Sequence, residues 1–196
     1  MNSFYLKYCI SFLILITSFS TKAQSVDSLI SIANKEITKQ KKVDKLNELS
    51  IDYKSKNYSV SKELAYQAEK IANTIQYKDG EAIALRNQGV VLTNESKLDE
   101  ALNVYTKALT LTKNKKIIGQ LYGSISRVYT NKSEFVKALD YSYKSLSIFE
   151  EIEDLQLQYV SLYNIANLNL QMGNTEKYYE YKNIYNFFTW ERSLNI

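Results

Sequence analysis

Large apolar and small side chains recur along the chain in a fixed order that predicts pairs of packed helices. In each copy, a first helix carries a large apolar residue, a small residue four places later, and an aromatic or large residue three places beyond that. After a short polar turn, a second helix carries small residues seven places apart with one further marked position between them. The clearest copy lies at 82–113, with Leu85, Gly89 and Leu92 in the first helix and Ala101, Tyr105 and Ala108 in the second. Helices cross closely only where side chains are short, so the small positions mark the predicted crossings.

Three further copies of this order flank the clearest one. Two are carried by Leu46, Ser50, Tyr53, Ser61, Ala65 and Ala68 and by Tyr122, Ser126, Tyr129, Ala138, Ser142 and Ser145. The last copy, carried by Leu162, Ala166, Asn169, Tyr178, Lys182 and Tyr185, is weaker, because the large Tyr178 stands where the other copies have a small residue. The equivalent positions of the second helices are 40, 37 and 40 residues apart. A bundle of generic amphipathic helices would not need small residues in register, so the period favours a repeat array.

The periodicity predicts eight paired helices and a short lead helix. The pairs are placed at 42–56 and 59–76, 81–95 and 98–113, 117–131 and 134–152, and 155–172 and 175–190, with the lead helix at 26–37. Ser96 and Asp99 are expected to form a capping box at the start of the helix at 98–113, and Gly173-Asn174 the last turn. Proline is absent and there are only 5 glycines, which favours long helices joined by short turns.

The chain resembles the tetratricopeptide repeat family in the runs EAIALRNQGVVLTNESKLDEALNVYTKAL and LYGSISRVYTNKSEFVKALDYSYKSL. The match rests on Leu85, Gly89, Ala101, Tyr105 and Ala108 in one unit and on Tyr122, Tyr129, Ala138 and Leu146 in the next. The tryptophan usual early in the first helix is replaced by Leu46, Leu85, Tyr122 and Leu162, and the closing proline is missing. The resemblance implies an all-α, helical-hairpin repeat solenoid of about four helix pairs plus an N-terminal lead helix.

The repeats are also similar to the extracytoplasmic sensor regions of bacterial histidine kinases and regulators. In those proteins a coiled coil, a membrane helix and a signalling domain follow the repeats, whereas this sequence stops at Ile196. Two functions therefore stay open: an adaptor that stands alone, and the sensory input module of a shortened two-component or transcriptional signalling protein.

The first 23 residues differ from the rest and are predicted to be a secretory signal peptide. Lys7 precedes an apolar run at 8–19, and small residues at Thr21 and Ala23 suit cleavage before Gln24. The run of about a dozen residues is shorter than the roughly 20 that a spanning helix needs. We expect export to the periplasm or the extracellular space, with membrane anchoring if the signal stays uncleaved. Residues 24–41 would form the lead helix and linker, and 42–192 the array, in units at 42–78, 79–114, 115–153 and 154–192.

Composition argues against a catalytic or nucleic-acid-binding role. The sequence has no histidine, and its one cysteine, Cys9, lies in the predicted signal. The mature chain would therefore lack the common nucleophile–base pairs and zinc ligands, and we expect no enzyme activity, no metal and no cofactor. The net charge of +4 falls to +2 when residues 1–23 are removed, which is too weak to indicate a nucleic-acid surface.

Similar arrays bind a peptide or a partner helix in a concave groove lined by the first helix of each pair, and the same is expected here. Arginine and carboxamide side chains on those helices are the candidates to hold a carboxylate or a peptide backbone. They are Asn47, Arg86, Asn87, Arg127, Asn131, Tyr163, Asn164 and Asn167. Each has solvated surface as its alternative.

An aromatic segment lies near the C-terminus and could serve a second kind of contact. It contains Tyr178, Tyr179, Tyr181, Tyr185, Phe187, Phe188 and Trp190. Aromatic side chains dominate binding hot spots, so self-association through the last helix is one interpretation. The other interpretation is that these residues form the packing face of that helix.

Overall fold

The computed structural model describes residues 25–36 and 38–194, with side chains described as far as residue 184 and at residue 186. The signal peptide predicted at 1–23 lies outside these residues. Within them the secondary structure is helical: α1 Val26–Ala33, α2 Lys39–Tyr53, α3 Tyr58–Thr74, α4 Lys78–Asn94, α5 Leu98–Leu111, α6 Lys115–Asn131, α7 Phe135–Glu151, α8 Leu155–Gln171 and α9 Thr175–Leu194. The all-α prediction is confirmed.

The helices pack in sequence as four pairs: α2 with α3, α4 with α5, α6 with α7, and α8 with α9. The second helix of each pair then packs on the first helix of the next. The lead helix α1 lies against α2 and α3, where Leu29 and Ala33 are buried beside Val43 and Leu46. The chain is therefore a stack of helical hairpins, each stabilised by its neighbours.

The close crossings fall on the small residues that the pattern marked. Ala101 and Ala138 are fully buried, and Gly89 lies against the ring of the fully buried Tyr105. A Cβ atom added at Gly89 would sit 2.4 Å from Cε1 of Tyr105, so no other residue fits there without displacement of the ring. The predicted register of the second unit is the one that the helices adopt.

Serine hydroxyls join the two helices at the crossings of the first and third units. Ser50 Oγ donates to the carbonyl oxygen of Ser61 at 2.8 Å, and Ser61 Oγ donates back to that of Ser50 at 2.9 Å. In the third unit, Ser126 Oγ donates to the carbonyl oxygen of Ala138 at 2.8 Å. These hydroxyls are buried and their hydrogen bonds are satisfied. Serine is therefore small enough for the close crossing and also links the two helices by hydrogen bonds.

Helix starts and turns were predicted less well. Ser96 does not cap α5: its φ of 60° places it in the left-handed region, and Lys97 is the N-cap residue without a side-chain hydrogen bond. The predicted capping box is therefore wrong, because Ser96 instead ends α4. There Lys97 N donates to the carbonyl oxygen of Leu92 at 2.9 Å, as in a Schellman turn. The same left-handed turn recurs at Gln76, Ser133, Glu153 and Gly173.

No helix in the described ranges has both the length and the apolar composition that crossing a bilayer requires.

Candidate partner groove

One cavity of about 430 Å³ opens on the side of the stack where the first helices lie. All four units contribute to its wall, through Ile51 of α2, Val90 of α4, Arg127 of α6 and Asn167 of α8. These four residues are five places beyond the first marked residue of their units, so the repeat itself brings them to one surface. We call this surface the partner groove.

The depth of the partner groove arises between the third and fourth units. The first helices α2 and α4 pack directly on each other, as do α4 and α6, whereas α6 and α8 show no comparable contact in the described part of the chain. Side chains of the second helix α7, Ser145 and Phe149, reach the opening and line it. The fourth unit is thus set apart from the third along this face, which leaves room for an occupant.

Small polar residues form the base of this opening. Gly123, Ser124 and Ser161 line it together with Ser145. Ser145 Oγ donates to the carbonyl oxygen of Gly119 at 2.9 Å and lies 3.3 Å from Ser161 Oγ. Their hydroxyls form hydrogen bonds within the protein, so the polar groups at the base of the opening are already satisfied.

Three cations from three successive units line the groove. They are Lys54, the C-cap residue of α2, Arg86 of α4 and Arg127 of α6. Lys54 and Arg127 are exposed, and Arg86 is half-buried with its Nε donating to the carbonyl oxygen of Gln120 at 3.4 Å. None of the described lining residues is Asp or Glu. Within the described ranges, no salt bridge involves any of the three cations.

Burial is the main cause of a lowered pKa at two of these cations, and the neighbouring positive charges add to it. Partial desolvation of the Lys54 ammonium, followed by the charges of Arg86 and Arg127, lowers its pKa below the ordinary value, although the charge of Asp52 acts in the opposite direction. Burial, together with the charge of Arg127, also lowers the pKa of the Arg86 guanidinium. Both shifts mean that the charged forms are less favourable here than in water, and an anion in the groove would relieve that penalty.

Tyr105 lies beneath the cations without neutralising them. Its side chain is fully buried and its hydroxyl lies 3.3 Å from Thr93 Oγ1. Burial raises the pKa of this phenol, so Tyr105 is neutral at physiological pH.

The wall contributed by α8 is different in character. Asn164, Asn167 and Gln171 present carboxamides, and Leu157 and Val160 present apolar side chains. Carboxamides can both donate to and accept from a peptide backbone. The groove therefore combines a cationic side with a neutral side that can hydrogen-bond.

Four of the eight candidate residues, Arg86, Arg127, Asn164 and Asn167, are brought together in the groove. Asn47 and Asn87 are not available to a partner, which corrects the prediction made from the sequence. Both are buried, with Asn47 Nδ2 donating to the carbonyl oxygen of Gly80 at 3.0 Å and Asn87 Nδ2 donating to that of Asn47 at 3.0 Å. They join the first unit to the second, because Asn47 on α2 and Asn87 on α4 meet where these two first helices pack on each other.

The remaining two candidates lie away from the main opening. Asn131 is exposed at the last position of α6 and is not among the groove-lining residues. Tyr163 is 53% exposed and borders a separate cavity of about 80 Å³ between α8 and α9, which Tyr178 and Lys182 also line. Asn167 lines both cavities, so the two openings meet at α8.

Lys54, Gln120 and Gln171 are among the groove residues that sequence reasoning missed. Lys54 was detectable, because it lies three residues after Ile51 and so falls on the same helix face. Nothing in the repeat pattern distinguished the half-buried Gln120 or the exposed Gln171 from the other glutamines of the sequence.

Part of the aromatic C-terminal segment is accounted for by packing. The Tyr181 hydroxyl lies 2.8 Å from that of Tyr143 on α7, and Lys182 Nζ lies 5.2 Å from the ring centre of Tyr178. Tyr179 is 58% exposed. The side chains of Tyr185, Phe187, Phe188 and Trp190 lie outside the described part, so self-association through this helix stays a prediction.

Comparison with known proteins supports the fold. No family profile matches the sequence, and no curated protein is a significant match. Among solved structures, aspartyl phosphate phosphatase F from Bacillus subtilis superposes with a TM-score of 0.73 at 17% identity, over 86% of this chain and 45% of the phosphatase. RapI in its apo form gives a TM-score of 0.65 at 19% identity, over 83% of this chain and 48% of RapI.

A third similar structure carries the repeat in its description. The nearly identical TPR-like repeats of a putative kinesin light chain from Podosopora anserina superpose with a TM-score of 0.59 at 10% identity, over 86% of this chain and 85% of that one. The chain spans about half the length of the phosphatase and of RapI. Its fold is a TPR-like helical repeat array, as the sequence pattern predicted.

Proposed function

We propose that this chain is an exported protein-interaction scaffold that binds a peptide or a partner helix in the partner groove. The observation that carries the proposal is the opening between α6 and α8, which is bounded by residues of all four units. Its volume of about 430 Å³ falls in the usual range of ligand sites. An array of helical hairpins offers a continuous surface of this kind to an extended ligand.

Binding would use the two sides of the groove differently. The carboxamides of Asn164 and Asn167 would hydrogen-bond to the backbone of a bound segment, which fixes its direction without reading its sequence. The apolar side chains of Val90, Leu157 and Val160 would cover its apolar side chains. The small base at Gly123 and Ser124 lets the segment approach the helices closely.

A substitution that fills the groove tests this function independently of charge. Gly123→Trp is expected to weaken the binding of groove ligands by about tenfold or more, because the indole would occupy the space over Ser145. The nearest atom to a Cβ at this glycine is Ser145 Oγ at 3.4 Å, an ordinary contact distance, so the backbone position itself accepts a side chain. Ligands would be 12-residue peptides selected by display on the purified chain from 25 onward, and affinities would be measured by fluorescence anisotropy.

Val136→Trp supplies the matched control for that experiment. Val136 is 73% exposed on α7 and does not line the groove, so this indole should leave peptide affinity within about twofold. Far-UV circular dichroism should show the same helix content for both variants. Selected peptides that bind Gly123→Trp as tightly as the parent chain would place their site elsewhere.

Export is part of the proposal and rests on the N-terminal pattern of Lys7, the apolar run at 8–19 and the small residues before Gln24. When the full sequence is expressed with its N-terminus intact in a bacterium, mass spectrometry of the exported fraction is expected to give a mature chain beginning at Gln24. A chain recovered only with residues 1–23 attached would argue for membrane anchoring, and one found only in the cytoplasm would argue against export.

The sensory input module remains the second candidate. In the phosphatase and in RapI, the matched part is 45% and 48% of the chain, so arrays of this kind occur as one part of a longer protein. The genomic DNA beyond the codon for Ile196 distinguishes the two candidates. A membrane helix and a signalling domain encoded there in another frame would favour the sensor, and their absence would favour the adaptor.

We also propose that the chain acts by binding and not by catalysis. One structural neighbour is named a phosphatase, but that name belongs to the neighbour, and a likeness at 17% identity concerns the fold alone. Over the described residues, no group of three or more His, Cys, Asp or Glu side chains is placed to hold a metal ion. Hydrolysis of a chromogenic phosphate ester by the purified chain would contradict this part of the proposal.

A further inference from the structure

We propose that the partner groove selects an acidic segment, whose carboxylates lie against Lys54, Arg86 and Arg127. The inference rests on the proposed function and adds the chemical class of the ligand. Three observations support it: the convergence of these cations, the lack of Asp and Glu among the described residues that line the cavity, and the hydrogen bonds that the two arginines leave unused.

Convergence of the three cations is a product of the stack. Lys54, Arg86 and Arg127 belong to the first, second and third units and are far apart in sequence, yet all line one cavity. Several lysines elsewhere form salt bridges. Lys107 pairs with Glu69 at 3.0 Å, and Lys132 pairs with Asp99 at 2.6 Å. Positive charge is thus paired at those sites and left unpaired at the groove, within the described ranges.

The three cations repel one another across the groove, and negative charge on a ligand would reduce that repulsion. Three like charges share one cavity whose described lining contains no carboxylate, and Tyr105 below them is neutral. Each cation therefore raises the free energy of keeping the other two charged. A ligand that brings two or three negative charges would offset this repulsion. A neutral ligand would leave the repulsion in place and also cut the cations off from water.

The geometry of the donors suits carboxylates held on a chain. Among the described residues, Arg86 uses only its Nε in an internal hydrogen bond, and Arg127 uses none. Their remaining N–H groups can form the paired hydrogen bonds that guanidinium makes with a carboxylate. The carboxamides of Asn164 and Asn167 on the opposite side would meet the backbone of the same segment, which a free anion lacks.

The test uses three fluorescent 12-residue peptides that share the same apolar residues and carry four Glu, four Gln or four Lys. We expect the Glu peptide to bind the chain from 25 onward about tenfold more tightly than the Gln peptide at about 50 mM NaCl, and the Lys peptide more weakly than either. The preference for Glu should shrink at about 500 mM NaCl, because the cations are partly exposed and salt screens them.

Charge-matched variants locate the effect. Arg86→Gln with Arg127→Gln should remove most of the preference for the Glu peptide, with helix content unchanged. Lys41→Gln with Lys70→Gln removes the same net charge from exposed positions on α2 and α3 that do not line the groove, and should preserve the preference within about twofold. If both double variants lost the preference for the Glu peptide equally, the peptide would be attracted by the net charge of the chain. That result would overturn the assignment to the groove.

The remaining outcomes separate this inference from the proposed function. Equal binding of the Glu and Gln peptides, or no binding of the Glu peptide, would overturn the acidic preference. Peptides selected by display that still lose affinity in Gly123→Trp would then leave the groove function standing. A 12-nucleotide single-stranded DNA that displaces the Glu peptide at equal concentration would replace the acidic peptide by a nucleic acid.

Discussion

Gly89→Ala should destabilise the chain by about 2 kcal/mol, although alanine is the better helix former. The added Cβ would lie 2.4 Å from Cε1 and 2.7 Å from Cζ of Tyr105, well inside van der Waals contact. The ring cannot move aside cheaply, because Tyr105 is fully buried and its hydroxyl is held near Thr93 Oγ1. The free energy of unfolding, measured by urea denaturation with circular dichroism, gives the cost directly.

Gly123→Ala is the matched control for this substitution. Its Cβ would meet only Ser145 Oγ, at an ordinary contact distance of 3.4 Å, so the higher helix propensity of alanine should raise stability by up to about 1 kcal/mol. A double-mutant cycle adds a second check: in a Tyr105→Leu background, Gly89→Ala should cost less than in the parent chain. Equal effects at Gly89 and Gly123 would mean that the second unit does not cross at Gly89.

Ala138→Trp should unfold the third unit, at a cost of about 3 kcal/mol or more. Ala138 is fully buried where α6 and α7 cross, and its carbonyl oxygen accepts a hydrogen bond from Ser126 Oγ at 2.8 Å. An indole at this position would force the two helices apart and break that hydrogen bond. Urea denaturation would show the lost stability, and limited proteolysis would show new cleavage sites within 115–151.

Val136→Trp controls for the indole itself, since Val136 lies two residues away on the same helix and is 73% exposed. We expect its free energy of unfolding to stay within about 0.5 kcal/mol of the parent value. If both tryptophan variants denatured at the parent's urea concentration, the close crossing at Ala138 would be refuted.

The crossings were predictable from the sequence because packing imposes a strict demand there. At Gly89, Ala101 and Ala138 the neighbouring helix leaves no volume for a larger side chain. Only small residue types fit there, and the sequence shows them directly. The turns were harder, because four of the five left-handed positions in the described residues carry Gln, Ser or Glu in place of glycine. Only Gly173 showed a recognisable signal, and Ser96 gave a misleading one.

The groove could be predicted only in outline. The repeat indicated which helices would line it, and Arg86, Arg127, Asn164 and Asn167 were found on that basis. The pattern could not separate them from Asn47 and Asn87, because an asparagine that joins two units and one that faces a ligand can occupy adjacent places on the same helix. The distinction depends on what covers each side chain, such as the Gly80 carbonyl over Asn47, and that is a property of the stack.

The wide separation of α6 and α8 has a mechanical consequence. The fourth unit is held to the third mainly through α7 and α8, so this junction is the natural place for the stack to open or close by a small rotation. A segment bound between Arg127 on α6 and Asn164 on α8 would fix the angle between the third and fourth units. Binding in the partner groove would then change the direction of α9, which lies at the far end of the stack.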